Sequence, residues 1–356
     1  PPSIVKFPPL ILSNPKMVAE HTPCTLHPLI LPPQLACDLF YTMLHEARDW
    51  SRNKWYMFDR LVESPHRTAF YTRDGNGESE ENRALHQVAQ SWYAYNGRKQ
   101  SDAPPRVFPK SVEKACQIIE DVVNQEILKR TRFPLEWGGL HPSAGGDKIV
   151  WRANFCASNM YEGAKVTVGF HSDRLTALGP YATIASLSLG SQRTFRLREV
   201  IPVDERDQRA ARTYNIPLPH NSLLIMHGST QERFKHTIPP QSVLDRFHPA
   251  FPPPPSLPAL SFDPAICRVN ITFRFYRPDF HPDSVPHCKC GEAAMLRPDM
   301  KKLQRVDTFG KGPGHGEGEF RYWWSCTAGD QHEGKQCGFW KVMDVRAEGR
   351  GPFVMD

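Results

Sequence analysis

An α+β chain built on a β core, with a small cysteine-bearing module at its C-terminal end, is what the residue pattern predicts. Three observations carry this. Two amphipathic helix patterns come early in the chain. A succession of strand patterns follows from Ile149 onward. Four of the nine cysteines then fall after Phe280. Helices followed by a run of strands favour segregated α and β layers over an alternating α/β sheet.

The totals agree. A length of 356 residues leaves room for one large domain and an appendage, and 40% apolar residues suffice for a buried core. Thirty-four prolines point to long loops rather than a helical protein. No apolar run reaches membrane-spanning length and no signal peptide is visible, so no membrane partner is expected. The chain lacks an initiator Met, so a missing N-terminal segment is expected and targeting goes unread. A net charge of +6 mildly suits a polyanionic partner. Nine unevenly placed cysteines do not form a secreted disulfide framework, and a reducing, intracellular compartment is expected.

Residues 1–32 are proline-rich and read as an extension lying along the core. Leu35, Leu39, Phe40, Met43 and Leu44 recur at helical spacing and predict a helix from Pro33 to Trp50. Trp55–Phe58 and Thr68–Tyr71 read as strands separated by Ser64-Pro-His-Arg67. Arg73 to Glu81 reads as a polar turn or loop. Val112, Ala115, Cys116, Ile119, Val122, Val123 and Ile127 predict a helix from Ser111 to Lys129, its apolar face against a sheet. The strand patterns that follow are Ile149–Phe155, Val166–Phe170, Ala182–Leu189, Thr194–Leu197, Ser222–Met226 and Cys267–Tyr276. Residues 247–264, with Phe251-Pro-Pro-Pro-Pro-Ser, read as an inserted proline-rich loop. The domain division is 1–32, 33–280 and 281–356.

Chemistry enters at His171-Ser-Asp173, which closes an apolar, β-branched run. Residues i and i+2 of a strand point the same way, so both side chains can reach one ion. A facial Fe(II) site needs two imidazoles and one carboxylate, with the opposite face open. Downstream, Lys235-His236-Thr-Ile-Pro offers the second imidazole, with His227 a nearby competitor. On Arg268-Val-Asn270-Ile-Thr-Phe-Arg274, Arg268, Asn270 and Arg274 share one face by parity. Two guanidiniums inside a barrel are costly unless a dianion meets them, and 2-oxoglutarate is such a dianion.

Together, Asn159-x-Tyr161-x-x-Gly163, His171-x-Asp173, Ser186-Leu-Ser-Leu-Gly190, the distal His236 and Arg268-x-Asn270-x-Thr-x-Arg274 resemble the AlkB family of Fe(II)/2-oxoglutarate dioxygenases over residues 23–280. The resemblance implies a double-stranded β-helix (jelly-roll) core and oxidative demethylation of N-methylated bases in DNA or RNA, with O2 as co-reactant. It implies iron on His171, Asp173 and His236. Tyr161 and Arg268 would take the distal carboxylate of 2-oxoglutarate, and Asn159, Asn270 and Arg274 its keto-acid end. The hydroxylated methyl group would leave as formaldehyde.

A flipped base needs an aromatic platform. Phe70 and Tyr71 lie where relatives carry theirs, and strand alternation allows only one of them to line the site. Base-repair members place an acidic residue two positions after the metal-binding Asp. Leu175 stands there, so cationic lesions are expected to lose their advantage over neutral ones such as N6-methyladenine. Arg174 is a candidate for a flanking phosphate.

Cys288-x-Cys290-Gly, Cys326 and Cys337 can complete a tetrahedral Zn(II) site; free thiols are the bland alternative. With Arg321-Tyr-Trp-Trp324-Ser and Cys337-Gly-Phe-Trp340, this segment is similar to a GRF zinc finger. That resemblance implies single-stranded nucleic-acid binding, with Arg321 keeping its place and Phe320 standing where the pattern has Gly. Residues 281–356 carry eleven Lys+Arg against eleven Asp+Glu, so the module has no overall basic excess. The glycine-rich run Gly310–Gly318 lacks a Gly-Lys-Ser/Thr ending and reads as a finger loop, not a phosphate loop. Deleting the module is expected to weaken oligonucleotide binding yet leave turnover on a free nucleoside. The expected protein is a monomeric, nuclear demethylase. The competing functions are a 2-oxoglutarate hydroxylase of a protein or small molecule, and a nucleic-acid-binding module with an inactive core.

Overall fold

The computed structural model describes residues 7–57, 59–74, 80–97, 106–139, 150–300, 304–305, 318–330 and 333–356. Most of the polar stretch after Asp74 and of the glycine-rich run lies outside them.

Two sheets face each other. The larger is ordered Cys24–Pro28, Ser222–Met226, Ile184–Gly190, Cys267–Arg274, Phe155–Glu162, Arg67–Thr72 and Arg106–Val107. The smaller is ordered Leu10–Ile11, Thr213–Leu218, Arg193–Glu199, Phe234–Ile238 and Val168–His171. Alternation divides each strand of the larger sheet between two cores. Val269, Ile271 and Phe273 point outward with Leu187, Leu189 and Met160, and pack beneath the helices Pro33–Glu46 and Lys110–Leu128. The helix Lys110–Leu128 buries Val112, Ala115, Cys116, Ile119, Val123 and Ile127, the stripe read from the sequence. Ile184, Leu224 and Met226 point inward and meet Phe195, Leu197, Ile216 and Ile238 of the smaller sheet. The other end of that inner face is polar, and there the site forms.

Gly190 shows why its strand needs glycine. Its φ is +87°, and a Cβ would lie 2.3 Å from the Cys267 carbonyl and 2.5 Å from the Phe40 ring.

Three expectations need correction. Val150–Asn154 is not a strand, and the strand begins at Phe155. This segment's polar groups are taken by side chains: Asn124 Oδ1 accepts from the Val150 and Trp151 amides, and Glu120 from Ala153. The N-terminal segment is not simply extended. It holds the helix Pro15–His21, capped by Asn14, and Cys24–Pro28 joins the larger sheet as an edge strand. Thirdly, a helix spans Glu80–Gly97 with no counterpart in the sequence reading, which assigned its first residues to a loop. Its buried stripe is Leu85, Val88, Ala89 and Trp92. The proline-rich insertion at 247–264 carries no helix or strand before the turn Pro264–Ile266.

The C-terminal module docks directly on the two-sheet core. Leu296, Phe320, Tyr322 and Trp324 join the same buried cluster as Leu175, Leu178 and Tyr181. Phe320, the departure from the GRF pattern, is 3% exposed, and its amide donates to the Tyr181 hydroxyl at 2.9 Å. An apolar side chain there seats the module on its neighbour. No described helix is long and apolar enough to cross a membrane.

Candidate active site

His171 and His236 lie directly opposite each other on the paired strands Val168–His171 and Phe234–Ile238. Their ring centroids are 4.3 Å apart. The first strand ends at His171, and Asp173 follows two residues on, with its amide donating to Gln231 Oε1 at 2.8 Å. One ligand atom from each of the three residues falls within 4.8 Å of the others. This is the donor set of a facial Fe(II) site.

The surroundings orient each ligand. His171 Nδ1 lies 2.8 Å from the Gly169 carbonyl, so it carries the proton and leaves Nε2 as the ligand atom. Arg274 Nε and Nη2 both donate to Asp173 Oδ2, at 2.9 and 2.8 Å. Asp173 Oδ1 is then the free oxygen, 3.8 Å from His236 Nε2. Burial works to raise the Asp173 carboxyl, but Arg274, His236 and His171 outweigh it and hold it at about 2. Burial, reinforced by His171, lowers His236 to about 3 against the pull of Asp173. Both residues are therefore in their metal-binding protonation states at neutral pH. His227, the competitor, is elsewhere: its Nε2 is 3.0 Å from the Thr25 hydroxyl.

The second half of the site lies along the inner face of Cys267–Arg274. Register places Arg268 opposite Tyr161, and Asn270 opposite both Asn159 and Ser188. Arg268 is 1% exposed; its Nη2 donates to Ser188 Oγ at 2.9 Å, and the guanidinium also hydrogen-bonds the Tyr161 hydroxyl. Its Nε and Nη1 meet no partner among the described residues. Burial, with Arg193 adding, lowers this guanidinium to about 10 despite Tyr161, whose ring centroid is 5.2 Å away. Two buried, unanswered N–H groups on a cation are expensive. A carboxylate beside Tyr161 would answer both, so the residues fit 2-oxoglutarate.

Asn270 spends its amide inside the sheet, on Ser186 Oγ and the Leu187 carbonyl. Asn159 Oδ1 accepts from Thr68. Arg274 grips Asp173, so its contact here is with the metal-binding carboxylate.

The aromatic pair divides as strand alternation requires. Phe70 shares the inner face and stacks at 5.8 Å on Phe155, which stacks at 4.3 Å on Tyr276. Tyr71 is a correction: it points into the helical core, 1% exposed, donating to Glu46 and accepting from Trp50 Nε1. It is no substrate residue. Arg174 is exposed, and Leu175 is 3% exposed within the inter-sheet cluster.

Sequence reasoning missed three residues around the site. Gln231 clasps the Asp173 amide. His66 stacks on Tyr161 at 5.3 Å with Nδ1 on the Thr167 carbonyl. Arg193, 1% exposed, binds the Gly163, Val166 and Pro239 carbonyls and ties down the loop after Tyr161. None lies in a spaced motif, and each acts across the fold.

The four C-terminal cysteines also converge, their sulfurs within 4.8 Å of one another. Cys290 and Cys326 Sγ are 4.0 Å apart. A zinc tetrahedron with bonds of ~2.3 Å has edges of roughly 3.8 Å, so the spacing fits an ion. Arg321 is exposed beside this module, and Trp340 is 59% exposed on it.

Two histidines and one carboxylate converging between two facing sheets are the donor set of an iron-dependent oxygenase class of site. Residues 40–274 match the model of the 2OG-Fe(II) oxygenase superfamily, and the chain belongs to that superfamily. Human alpha-ketoglutarate-dependent dioxygenase alkB homolog 3 is 36% identical over 127 residues, 35% of this chain and 37% of that protein. DNA oxidative demethylase ALKBH2 of Arabidopsis thaliana is 33% identical over 103 residues, 25% of this chain and 33% of that one. The match thus spans about a third of the length of these curated relatives. The solved structure of OsALKBH1 aligns with 71% of this chain and 98% of its own, at 15% identity and a TM-score of 0.39.

Proposed function

We propose that this chain removes methyl groups from N-methylated bases of DNA or RNA, using Fe(II), 2-oxoglutarate and O2. The observation that carries the reading is the pairing of the His171–Asp173–His236 set with Arg268, whose two unpartnered N–H groups are buried beside Tyr161. The similarity to alkB homolog 3 and to ALKBH2 supports a nucleic-acid substrate.

His171 and His236 would hold iron through Nε2, and Asp173 through Oδ1, with Arg274 keeping that oxygen in place. Arg268 and Tyr161 would bind and orient one carboxylate of 2-oxoglutarate, with Asn159 and Asn270 lining the same face. Iron and 2-oxoglutarate together supply the oxidation of the N-methyl carbon, after which the hemiaminal releases formaldehyde. Phe70 is the base platform, backed by Phe155 and Tyr276. Arg174 pairs with a flanking phosphate. Position 175 offers no acceptor for a cationic base, so N6-methyladenine competes comparatively well with 1-methyladenine.

In the same reading, Cys288, Cys290, Cys326 and Cys337 hold Zn(II) in a GRF-like finger. The finger aids binding of single-stranded nucleic acid through Arg321 and its exposed tryptophan. The protein acts as a monomer, in the nucleus.

The deciding experiment is mass spectrometry of methylated oligonucleotides, single- and double-stranded DNA and RNA, incubated with Fe(II), 2-oxoglutarate and ascorbate. Loss of 14 Da per methyl group (roughly one CH2, as removal of the methyl requires) on at least one substrate is expected. Succinate formation with no demethylated product across the panel would redirect the oxidation to a protein or small molecule.

A further inference from the structure

We propose that the C-terminal cysteine module is a strut of the iron site, and that Tyr322 is a positioning residue acting on the metal ligands through Glu232. This rests on the reading of His171, Asp173 and His236 as the metal site.

The connection is a short chain of hydrogen bonds. The turn Thr230–Arg233 lies between the strand Ser222–Met226 and the strand Phe234–Ile238 that carries His236. Gln231, on this turn, accepts from the Asp173 amide at 2.8 Å. Glu232, the next residue, accepts through Oε1 from the Tyr181 amide at 2.8 Å and from the Tyr322 hydroxyl at 3.0 Å. Tyr322 opens the module strand Tyr322–Ser325, which runs directly into Cys326. One end of the chain is therefore a cysteine cluster and the other is two of the three iron ligands.

Thr230 ties the turn to its own sheet, its hydroxyl donating to the Pro23 and His227 carbonyls at 3.1 and 2.7 Å, and Glu232 ties it to the module. The turn starts from Ser229 in the left-handed region, φ +74°, a conformation costly for a residue with a side chain. Gln231 and Glu232 are 3% and 2% exposed, so water does not stand in for a lost partner. Glu232 Oε2 already lacks a hydrogen-bond partner among the described residues. Removing the Tyr322 hydroxyl leaves that carboxylate with backbone partners alone among the described residues, the Tyr181 amide and its own. The turn then loses its tie to the module, and Gln231 and His236 shift with it. Gln231 is a partner one shell out from Asp173, and such partners typically govern metal affinity by ten- to a hundredfold; Tyr322 stands one link further out.

The test uses the full chain and Mn(II) as the probe, titrated into the protein and followed by electron paramagnetic resonance. Wild type is expected to bind one Mn(II) per chain; no binding would sink the metal-site reading itself. Tyr322→Phe is expected to bind Mn(II) about tenfold more weakly while its cysteine-bound zinc content stays unchanged. Gln231→Ala, one link nearer the iron, should lose at least as much, and supplies the answer should Tyr322→Phe fail to fold. Glu232→Gln keeps an acceptor oxygen for both donors and should remain within about twofold of wild type. Thr176→Val loses the module contacts to Ala294 and Leu296 but lies off this chain of bonds; it should lower the unfolding temperature and leave Mn(II) affinity alone. Wild-type Mn(II) affinity in Tyr322→Phe or in Gln231→Ala overturns the proposal, as does an equal loss of affinity in Thr176→Val.

Discussion

Asp173 has its two oxygens assigned to different tasks, one to Arg274 and one toward the two imidazoles. Alanine at this position removes the only carboxylate ligand and leaves Arg274 buried without its ion pair. Formaldehyde and succinate release should both vanish in Asp173→Ala, and added chelator should do the same to the wild type. Persistent turnover in the variant would falsify the ligand assignment. Arg268 poses the complementary case. Its Nε and Nη1 are already without partners, so its role is read from what it is ready to bind. Arg268→Ala should weaken 2-oxoglutarate binding by roughly 2–5 kcal/mol, the usual cost of truncating a buried charge pair. Titration calorimetry showing unchanged affinity would make Arg268 a structural cation.

The C-terminal module is the element whose role changes most once its packing is known. Read alone, residues 281–356 look like a separable finger, and turnover on a free nucleoside should survive its deletion. Docked, the module covers Leu178 and Tyr181 and supplies partners to Glu232 and Thr176. Deletion should therefore lower the unfolding temperature and the turnover of even a free nucleoside, which contradicts the separable picture. An activity assay on the truncated chain distinguishes the two. Metal analysis by mass spectrometry should find about one zinc per chain, and Cys326→Ser should lose it. The helix Lys110–Leu128 gives a calibration of ordinary packing: Ile119 is fully buried, and Ile119→Ala should cost about 2–5 kcal/mol in denaturant unfolding.

Across the described residues, three histidines lowered by burial weaken the fold in acid, while burial, against the pull of Arg73 and Arg152, raises Glu120 to about 7 and works the other way. Burial lowers His220 to about 4. Burial, with Arg130 and His27 adding, lowers His227 to about 3, and His236 behaves alike in the metal-free chain. In each case the folded chain favours the neutral ring while the unfolded chain titrates near 6.5. The unfolded state binds more protons between those values, so stability rises with pH there. The contribution is full above about pH 6.5 and is lost as pH falls toward 3. The unfolding temperature of the metal-free protein should drop steadily from about pH 7 to about pH 4.5. A flat profile over that interval would mean these rings are hydrated in solution.

Local spacing alone determined a good deal of this protein. A continuous apolar run marked Ser222–Met226 to the residue, and period-two alternation put Arg268, Asn270 and Arg274 on one face. Helical spacing marked Lys110–Leu128 within a residue of its observed ends. The pairs His171-x-Asp173 and Cys288-x-Cys290 stood out because two donors at a short interval can reach one ion, and the structure brings His236, and Cys326 and Cys337, to them. The helix Glu80–Gly97 carried its stripe of Leu85, Val88, Ala89 and Trp92, but among so many polar residues the stripe was faint. Val150–Asn154 looked like a strand because Val150, Trp151 and Ala153 are apolar, yet distant side chains took its backbone hydrogen bonds. Only the tertiary structure decided that Arg274 grips Asp173, that Tyr71 turns into the helical core, and that Gln231 meets the Asp173 amide and Glu232 the Tyr322 hydroxyl. Those contacts run between residues far apart in the chain, and no periodicity along a sequence encodes which distant partner a buried polar group will meet.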